Sequence, residues 1–264
     1  MIPKKIHYCW FGGNPLPEEA QMCIDSWKKY CHGYEIIEWN ERNYDICKCE
    51  YIKEAAAMGK WAFVSDYARF DILFQYGGLY FDTDVELISN IDDLAEKGPF
   101  TGIEDASGYS GNLIYKVNPG LCLAAEPGMK VFSDILCYYN SEHFILQNGE
   151  INKKTVLDYT TEVLVKYGYL PQNHMQQIGG LNIYPADFFC PMNYITGEIL
   201  ITPNTRSIHH YNMSWKSPYE VFLKKAERKC IKLQGAKKGI ILYKLLTLPV
   251  RAVHKTYIIL KRRK

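Results

Sequence analysis

One stretch in the first third of the chain constrains the fold most strongly: residues 65–84 read SDYARFDILFQYGGLYFDTD. Residues 61–76 contain no Gly or Pro and repeat apolar side chains at helical spacing, which predicts a helix. Gly77 and Gly78 end that helix, because glycine accepts the left-handed conformation that a helix end often requires. The apolar run 79–81 then predicts a buried strand. Such alternation of helix and strand is typical of α/β proteins.

Two carboxylates, Asp82 and Asp84, follow that strand. Alternate residues of an extended segment point the same way, so both side chains can aim oxygen ligands at one divalent cation. Asp66 and Arg69 lie three residues apart on one face of the preceding helix, near its start. Together these residues predict a site where a metal ion and a diphosphate meet. Taken singly, they have ordinary alternatives, namely a solvated acidic turn and a surface ion pair of a helix.

The helix, turn and strand resemble the sugar-binding DXD region of family 32 glycosyltransferases of the capsular-polysaccharide type, and are similar to the glucosylating domains of large bacterial toxins. The resemblance rests on the pattern Ser65-Asp66-x-x-Arg69, Leu73, Gly77-Gly78-x-Tyr80-x-Asp82-x-Asp84. Residues 2–12, IPKKIHYCWFG, resemble the first strand of that family, and residues 209–215, HHYNMSW, resemble its closing motif. The resemblance covers about residues 1–220. It implies an α/β, Rossmann-like nucleotide-sugar-binding fold of the glycosyltransferase A type.

The resemblance also implies roles for five residues in the first third of the chain. Trp10 would stack on the nucleotide base, for which the alternative is ordinary core packing. Asp66 would contact the ribose and sugar hydroxyls, and Arg69 would hold the donor near its sugar and phosphate. Asp82 would contact the sugar or ribose and the metal. Asp84 would ligate the metal directly.

The rest of the chain supplies further candidates, of which the two histidines, Ser214 and Trp215 are implied by the resemblance. His210 is expected to be the C-terminal metal ligand, and His209 is the alternative. Ser214 and Trp215 would close over the diphosphate. Asn112, in a Gly- and Ser-rich stretch expected to be a loop that includes Glu104 and Asp105, is a candidate contact to the donor sugar or else a solvated turn residue. Mn²⁺ or Mg²⁺ is the expected cofactor of such an oxygen-rich site.

These residues predict a metal-dependent hexosyltransferase, and the resemblance implies that it retains the anomeric configuration. Its donor would be a nucleotide sugar, UDP-linked by similarity, and its acceptor a glycan or lipid-linked oligosaccharide in surface-polysaccharide synthesis. A haloacid-dehalogenase-type phosphatase is an alternative, since residues 81–85 also supply the strand-borne D-x-D with which the D-x-D-x-[TV] pattern of that class begins. Asp92 and Asp93 could serve as the later acidic pair of that class, but they follow after only eight residues. A non-catalytic binder of sugar nucleotides or glycans is the third alternative.

Charge divides the chain unevenly. Residues 221–264 hold 14 of the 31 Lys and Arg residues and one of the 29 acids, a net +13 that leaves −11 for residues 1–220. The basic residues alternate with apolar runs, each shorter than the roughly 20 residues of a spanning helix. We therefore expect a catalytic domain at 1–220 and a basic amphipathic helical tail at 221–264 that binds an anionic membrane surface rather than nucleic acid. Nine cysteines and no recognisable signal sequence favour a cytoplasmic protein, peripheral at the inner face of the membrane.

Overall fold

The computed structural model describes residues 1–105, 114–212 and 218–261. Within them the strands are β1 (Lys5–Cys9), β2 (Glu35–Trp39), β3 (Gly78–Tyr80), β4 (Val85–Leu87), β5 (Phe100–Asp105), β6 (Tyr115–Ala125), β7 (Gln176–Ile178), β8 (Leu181–Tyr184) and β9 (Ser207–His209). The helices are α1 (Glu18–Tyr30), α2 (Glu50–Ala57), α3 (Trp61–Tyr76), α4 (Asp92–Ala95), α5 (Lys130–Asn140), α6 (Val156–Lys166), α7 (Ala186–Phe189) and α8 (Pro218–Lys261). The predicted α/β class with a C-terminal basic helical segment is confirmed.

Seven strands form one mixed sheet in the order β2-β1-β3-β6-β5-β8-β7. Strand β1 is parallel to both β2 and β3, and β6 is antiparallel to β3 and β5. Strands β3 and β6 are buried along almost their whole length, as expected for strands covered on both faces. The chain therefore leaves the centre of the sheet at the end of β3, immediately before Asp82.

Helix α3 carries the N-terminal half of the predicted site, and it is apolar enough to be buried over most of its length. Its side chains join a core that includes residues of α2, α5 and α6. Gly77 ends the helix with a φ of 61°. A Cβ atom at Gly78 would lie 2.7 Å from the backbone oxygen of Lys5, so only glycine lets α3 turn directly into β3 beside β1.

A second, two-stranded sheet pairs β4 with β9 in antiparallel fashion. Its register places Val85 opposite His209 and Glu86 opposite Ile208. The pairing brings a segment from the last quarter of the chain next to the aspartates that follow β3. This sheet is what connects the DXD segment with the closing motif.

The chain divides into two compact units, one of residues 1–192 with 199–212 and the other of residues 193–198 with the C-terminal segment. In the second unit, α8 is interrupted at Gly235, whose φ of 72° and ψ of 168° are not helical. The rings of Tyr219 and His254 stack with centroids 3.6 Å apart. An unbroken helix would separate these residues by about 50 Å. Residues 218–261 are therefore a helical hairpin, named here the C-terminal hairpin.

Helix α3 has its predicted bounds, and the strand predicted at 79–81 is found at Gly78–Tyr80. One local expectation is wrong. Glu104 and Asp105 end strand β5 instead of lying in a loop, because β5 pairs with β6 as far as Tyr115.

Candidate active site

Arg69 is the centre of the predicted site on the helix side. Its Nη2 atom lies 2.7 Å from Asp66 Oδ1 and 3.3 Å from Asp82 Oδ1, and its side chain is 3% exposed. The guanidinium also lies over the ring of Tyr80, 4.9 Å from the centroid. Helical spacing brings Asp66 to Arg69, and the turn at Gly77 returns the chain so that Asp82 meets the same guanidinium. A planar cation thus bridges two carboxylates in a nearly dry environment.

Burial changes the titration of this group. It raises the pKa of Asp66 to about 7, against the opposing effect of Arg69, and the nearby Asp82 adds to the rise. For Arg69, burial alone would lower the pKa, but Asp82, Tyr80 and Asp66 outweigh it and keep the guanidinium charged. A fixed positive charge therefore remains beside the carboxylates over the physiological pH range.

Asp84 is held on three sides by the closing motif. His209 Nε2 lies 3.2 Å from Asp84 Oδ1, and the backbone N–H of Asn212 donates to Asp84 Oδ2 at 2.8 Å. The backbone N–H of His210 donates to the Asp84 carbonyl at 2.9 Å. Burial would raise the pKa of Asp84, but His209 and the hydrogen bond from the Asn212 N–H lower it, so the carboxylate is charged.

Asp82, Asp84 and His209 form a group whose potential ligand atoms all lie within 4.8 Å of one another. Cis ligands of an octahedral ion, each about 2.1 Å from the metal, are about 3.0 Å apart. The 3.2 Å separation between Asp84 Oδ1 and His209 Nε2 fits that requirement. Two carboxylate oxygens and one imidazole nitrogen are also a donor set suited to Mn²⁺. These residues therefore fit the expected divalent cation.

The histidine that joins this group is His209, the alternative that the sequence left open, and not the expected His210. His210 Nε2 lies 2.8 Å from Glu86 Oε2. The physical reason is the alternation of side chains along an extended segment, which sends neighbouring residues to opposite sides. Because Val85 is paired with His209, that ring faces Asp84 and the next one faces Glu86.

Trp10 is the remaining predicted donor-binding residue that lies within the described part of the chain. Trp10 follows β1, is partly exposed, and donates its indole N–H to the Asn14 carbonyl at 2.6 Å. Asn112, Ser214 and Trp215 lie outside the described residues. Base stacking by Trp10 and the roles of the other three stay predictions.

Sequence reasoning missed the contribution of β6. A Cβ atom at Gly120 would lie 2.0 Å from Asp82 Oδ2 and 3.0 Å from Arg69 Nη1, so the strand backbone forms the floor beneath the ion pair. The Gly120 N–H donates to Asn118 Oδ1 at 2.8 Å, and Asn118 Nδ2 donates to buried Glu104 at 2.5 Å. A glycine inside an apolar strand is the available signal, since such positions often mark a close backbone approach.

The acidic pair of the phosphatase alternative serves the surrounding fold. Asp92 accepts a hydrogen bond from the Tyr34 hydroxyl at 2.8 Å. Asp93 pairs with Arg206 at 3.1 Å and is half exposed. Neither belongs to the potential ligand group that the described residues form around Asp84.

The region of the chain that contains Asp66, Arg69, Asp82 and Asp84 is similar to known proteins. Residues 17–101 match the family described as the glycosyltransferase sugar-binding region containing the DXD motif. A curated relative from Acanthamoeba polyphaga mimivirus, called uncharacterized glycosyltransferase L373, is 25% identical over 205 residues, which are 73% of this chain and 77% of the relative.

The chain is also similar to solved structures of glycosyltransferases. A glycosyltransferase involved in the glycosylation of the major capsid of PBCV-1 has a TM-score of 0.43 and 13% identity, with 82% of this chain and 96% of that chain covered. The galactosyltransferase LgtC, solved with donor and acceptor sugar analogs, has a TM-score of 0.41 and 14% identity, with 90% of this chain and 95% of that chain covered.

The family match includes α3, Gly77, and the carboxylates Asp66, Asp82 and Asp84; Asp66 and Asp82 contact Arg69, and Asp84 joins Asp82 in the potential ligand group. Asp66, Arg69, Asp82 and Asp84 of the predicted motif therefore all lie within the matched residues. The match favours sugar transfer over the phosphatase alternative. The chain is a glycosyltransferase that carries the DXD sugar-binding region.

Proposed function

We propose that this glycosyltransferase is metal-dependent and retaining, and that it moves a hexose from a nucleotide sugar, UDP-linked, to a glycan or lipid-linked acceptor in surface-polysaccharide synthesis. The observation that carries the proposal is the convergence of Asp82, Asp84 and His209 within 4.8 Å, beside the buried guanidinium of Arg69. A divalent cation held by these carboxylate and imidazole ligands, next to the fixed charge of Arg69, would suit a diphosphate leaving group.

Sugar transfer breaks the bond between the anomeric carbon and the donor phosphate, and negative charge then develops on the departing nucleoside diphosphate. Positive charge that is held in place before the reaction makes the largest contribution to lowering that barrier. Asp82, Asp84 and His209 would hold Mn²⁺ or Mg²⁺, which supplies Lewis-acid stabilisation of the diphosphate when bound. Arg69 is already charged. Its ion pairs with Asp66 and Asp82 hold the guanidinium in place, so it does not have to reorganise during the reaction.

Retention of configuration is proposed from the family resemblance. It fits a same-face displacement in which the departing phosphate assists the acceptor hydroxyl, and we assign no covalent nucleophile and no dedicated base. Asp66 is proposed to bind hydroxyls of the donor, since it pairs with the same Arg69 guanidinium that contacts Asp82 of the cation site. Trp10 is proposed to stack on the base, because strand ends are where nucleotides bind in open α/β sheets.

The test is release of nucleoside diphosphate from a panel of UDP- and GDP-sugars with Mn²⁺, each measured with and without a chelator. We expect turnover of at least one UDP-hexose that the chelator abolishes. Asp84→Asn should lose this turnover, and the matched control Asp93→Asn should keep it, because Asp93 pairs with Arg206 outside the site. Metal-independent turnover, or equal activity of both variants, would contradict the proposal.

We also propose that the C-terminal hairpin binds an anionic membrane surface and so brings the enzyme to a lipid-linked acceptor at the inner face of the membrane. Among the described residues, none of the helices is long and apolar enough to span a bilayer. The support is the second helical segment of the hairpin, residues 236–261. It exposes Ile241, Leu245 and Leu248 at helical spacing, each 60% or more accessible.

Tyr243 and Thr247, on the opposite face of that segment, are buried. Its exposed aliphatic face is flanked by the cations Lys244 and Arg251 and by no acid, because Glu227 is the one acid of residues 221–264. An apolar stripe bordered by cations is the pattern of helices that lie in the interface of anionic bilayers.

The membrane proposal is tested by co-sedimentation with vesicles of phosphatidylcholine alone or mixed with phosphatidylglycerol. The Leu245→Glu, Leu248→Glu double variant should lose binding to the anionic vesicles, because it places charge on the apolar stripe. Leu200→Glu is the matched control, since Leu200 is 74% exposed and lies in the first unit. Equal binding of both variants, or binding without anionic lipid, would contradict the proposed surface.

A further inference from the structure

Tyr211 has the most unusual backbone of the closing motif. Its φ of 54° makes it the one non-glycine residue with positive φ in residues 1–105, 114–212 and 218–261. A bulky side chain in this left-handed region is a genuine outlier, which persists only where the surrounding structure enforces it. Such outliers cluster at functional sites, so the position of Tyr211 deserves a physical explanation.

The turn at Tyr211 determines how the chain meets Asp84. Before the turn, His209 lies against one oxygen of the carboxylate, at 3.2 Å from Oδ1. After it, the N–H of Asn212 donates to the other oxygen, Oδ2, at 2.8 Å. An extended residue at 211 would carry Asn212 onward along the direction of β9. The left-handed residue reverses the chain. His209 and Asn212, on either side of Tyr211, therefore both contact the carboxylate of Asp84.

Two contacts of the Tyr211 side chain hold this turn. Its hydroxyl lies 2.9 Å from the buried Cys190 Sγ, just after α7. Its ring lies against the imidazole of His209, with centroids 4.2 Å apart and planes inclined by 45°. The side chain is thus anchored at its tip and limits the rotation of the ring that reaches Asp84.

We propose that Tyr211 is a positioning residue of the cation site: its anchored side chain fixes a left-handed turn that aims His209 and Asn212 at Asp84. This inference rests on the proposed metal-dependent function. Residues behind metal ligands orient them, and their loss commonly reduces metal affinity about 10- to 100-fold. The alternative is that Tyr211 merely fills space between α7 and β9.

Binding of Mn²⁺ to the full-length protein, measured by electron paramagnetic resonance of free Mn²⁺, separates these roles without an assay of turnover. Tyr211→Ala should bind Mn²⁺ about 10- to 100-fold more weakly than wild type. Tyr211→Phe should fall between the two, because it keeps the ring and loses the contact with Cys190. The matched control Tyr169→Phe, which removes another buried hydroxyl, should bind like wild type.

The decisive comparison is Tyr211→Gly against Tyr211→Ala. Glycine adopts positive φ without penalty, so it should recover part of the Mn²⁺ affinity that alanine loses, even though it fills less space. A space-filling role predicts the opposite order, with glycine no better than alanine. The melting temperatures of the Tyr211 variants, measured in parallel, should not rank in the same order as their Mn²⁺ affinities.

Two negative results have different meanings. Wild-type protein that binds no Mn²⁺ would overturn the proposed metal dependence, and the positioning role with it. The positioning role alone would be overturned if wild-type protein binds Mn²⁺ and the alanine variant binds it as tightly as wild type. The same holds if the glycine variant binds Mn²⁺ no more tightly than the alanine variant.

Discussion

Replacement of Gly120 by alanine tests the geometry of the site without removing any charge. The added Cβ atom would lie 2.0 Å from Asp82 Oδ2 and 2.9 Å from Asp82 Cγ. An ordinary carbon to oxygen contact is at least about 3.3 Å, so the carboxylate must move by about 1.3 Å. The displacement acts on the carboxylate that pairs with Arg69 and joins the potential ligand group.

Misplacement of a reacting group by about 1 Å can cost about 100-fold in rate, which corresponds to about 2.7 kcal/mol of activation free energy. We therefore expect Gly120→Ala to lower kcat by about two orders of magnitude and to weaken Mn²⁺ binding. The φ of Gly120 is not positive, so the backbone itself accepts alanine. The fold should survive, with a stability cost of about 1–3 kcal/mol for overpacking.

The assay measures nucleoside diphosphate release and the free energy of unfolding for each variant. Gly102→Ala is the matched control, because it lies on neighbouring strand β5 and its Cβ would meet Phe189 Cδ2 at 2.7 Å, outside the site. The control should lose stability and keep kcat. A Gly120→Ala enzyme with kcat within about threefold of wild type, at normal Mn²⁺ affinity, would refute the reasoning.

Three further predictions follow from single side chains. Arg69→Lys should lower kcat/KM at least about 100-fold with an unchanged circular dichroism spectrum, because an ammonium cannot bridge Asp66 and Asp82 as the planar guanidinium does. Trp10→Ala should raise the KM for the nucleotide sugar about 5- to 150-fold with little change in kcat, the effect of about 1–3 kcal/mol of base stacking. Burial lowers the pKa of His7 to about 4, so unfolded protein takes up a proton that folded protein excludes as pH falls from 6.5 to 4. Urea unfolding should therefore show about 3 kcal/mol more loss of stability between pH 7 and pH 4 for wild type than for His7→Gln.

The helix, turn and strand of the DXD segment were predictable because their signals are local. Gly77 and Gly78 mark the turn in any context, and the apolar residues of α3 have the helical period along the chain. The three carboxylates and Arg69 of the site lie within nineteen consecutive positions, 66–84, so a local pattern was enough to find them.

Contacts between distant segments were not predictable in the same way. His209 reaches Asp84 through the pairing of β4 with β9, and a shift of one residue in that register would present His210 instead. The approach of Gly120 to Asp82 depends on which strand neighbours β3 in the sheet. Neither the register nor the strand order has a signature within a single segment.

The central claim is that Asp82, Asp84 and His209 hold a divalent cation against the diphosphate of the donor. The most direct test is a crystal grown with Mn²⁺ and UDP, with data collected at the manganese absorption edge. We predict one anomalous peak within about 2.3 Å of Asp84 and His209, in contact with the UDP phosphates. UDP bound with no anomalous peak at these side chains, or manganese bound at another site, would contradict the account.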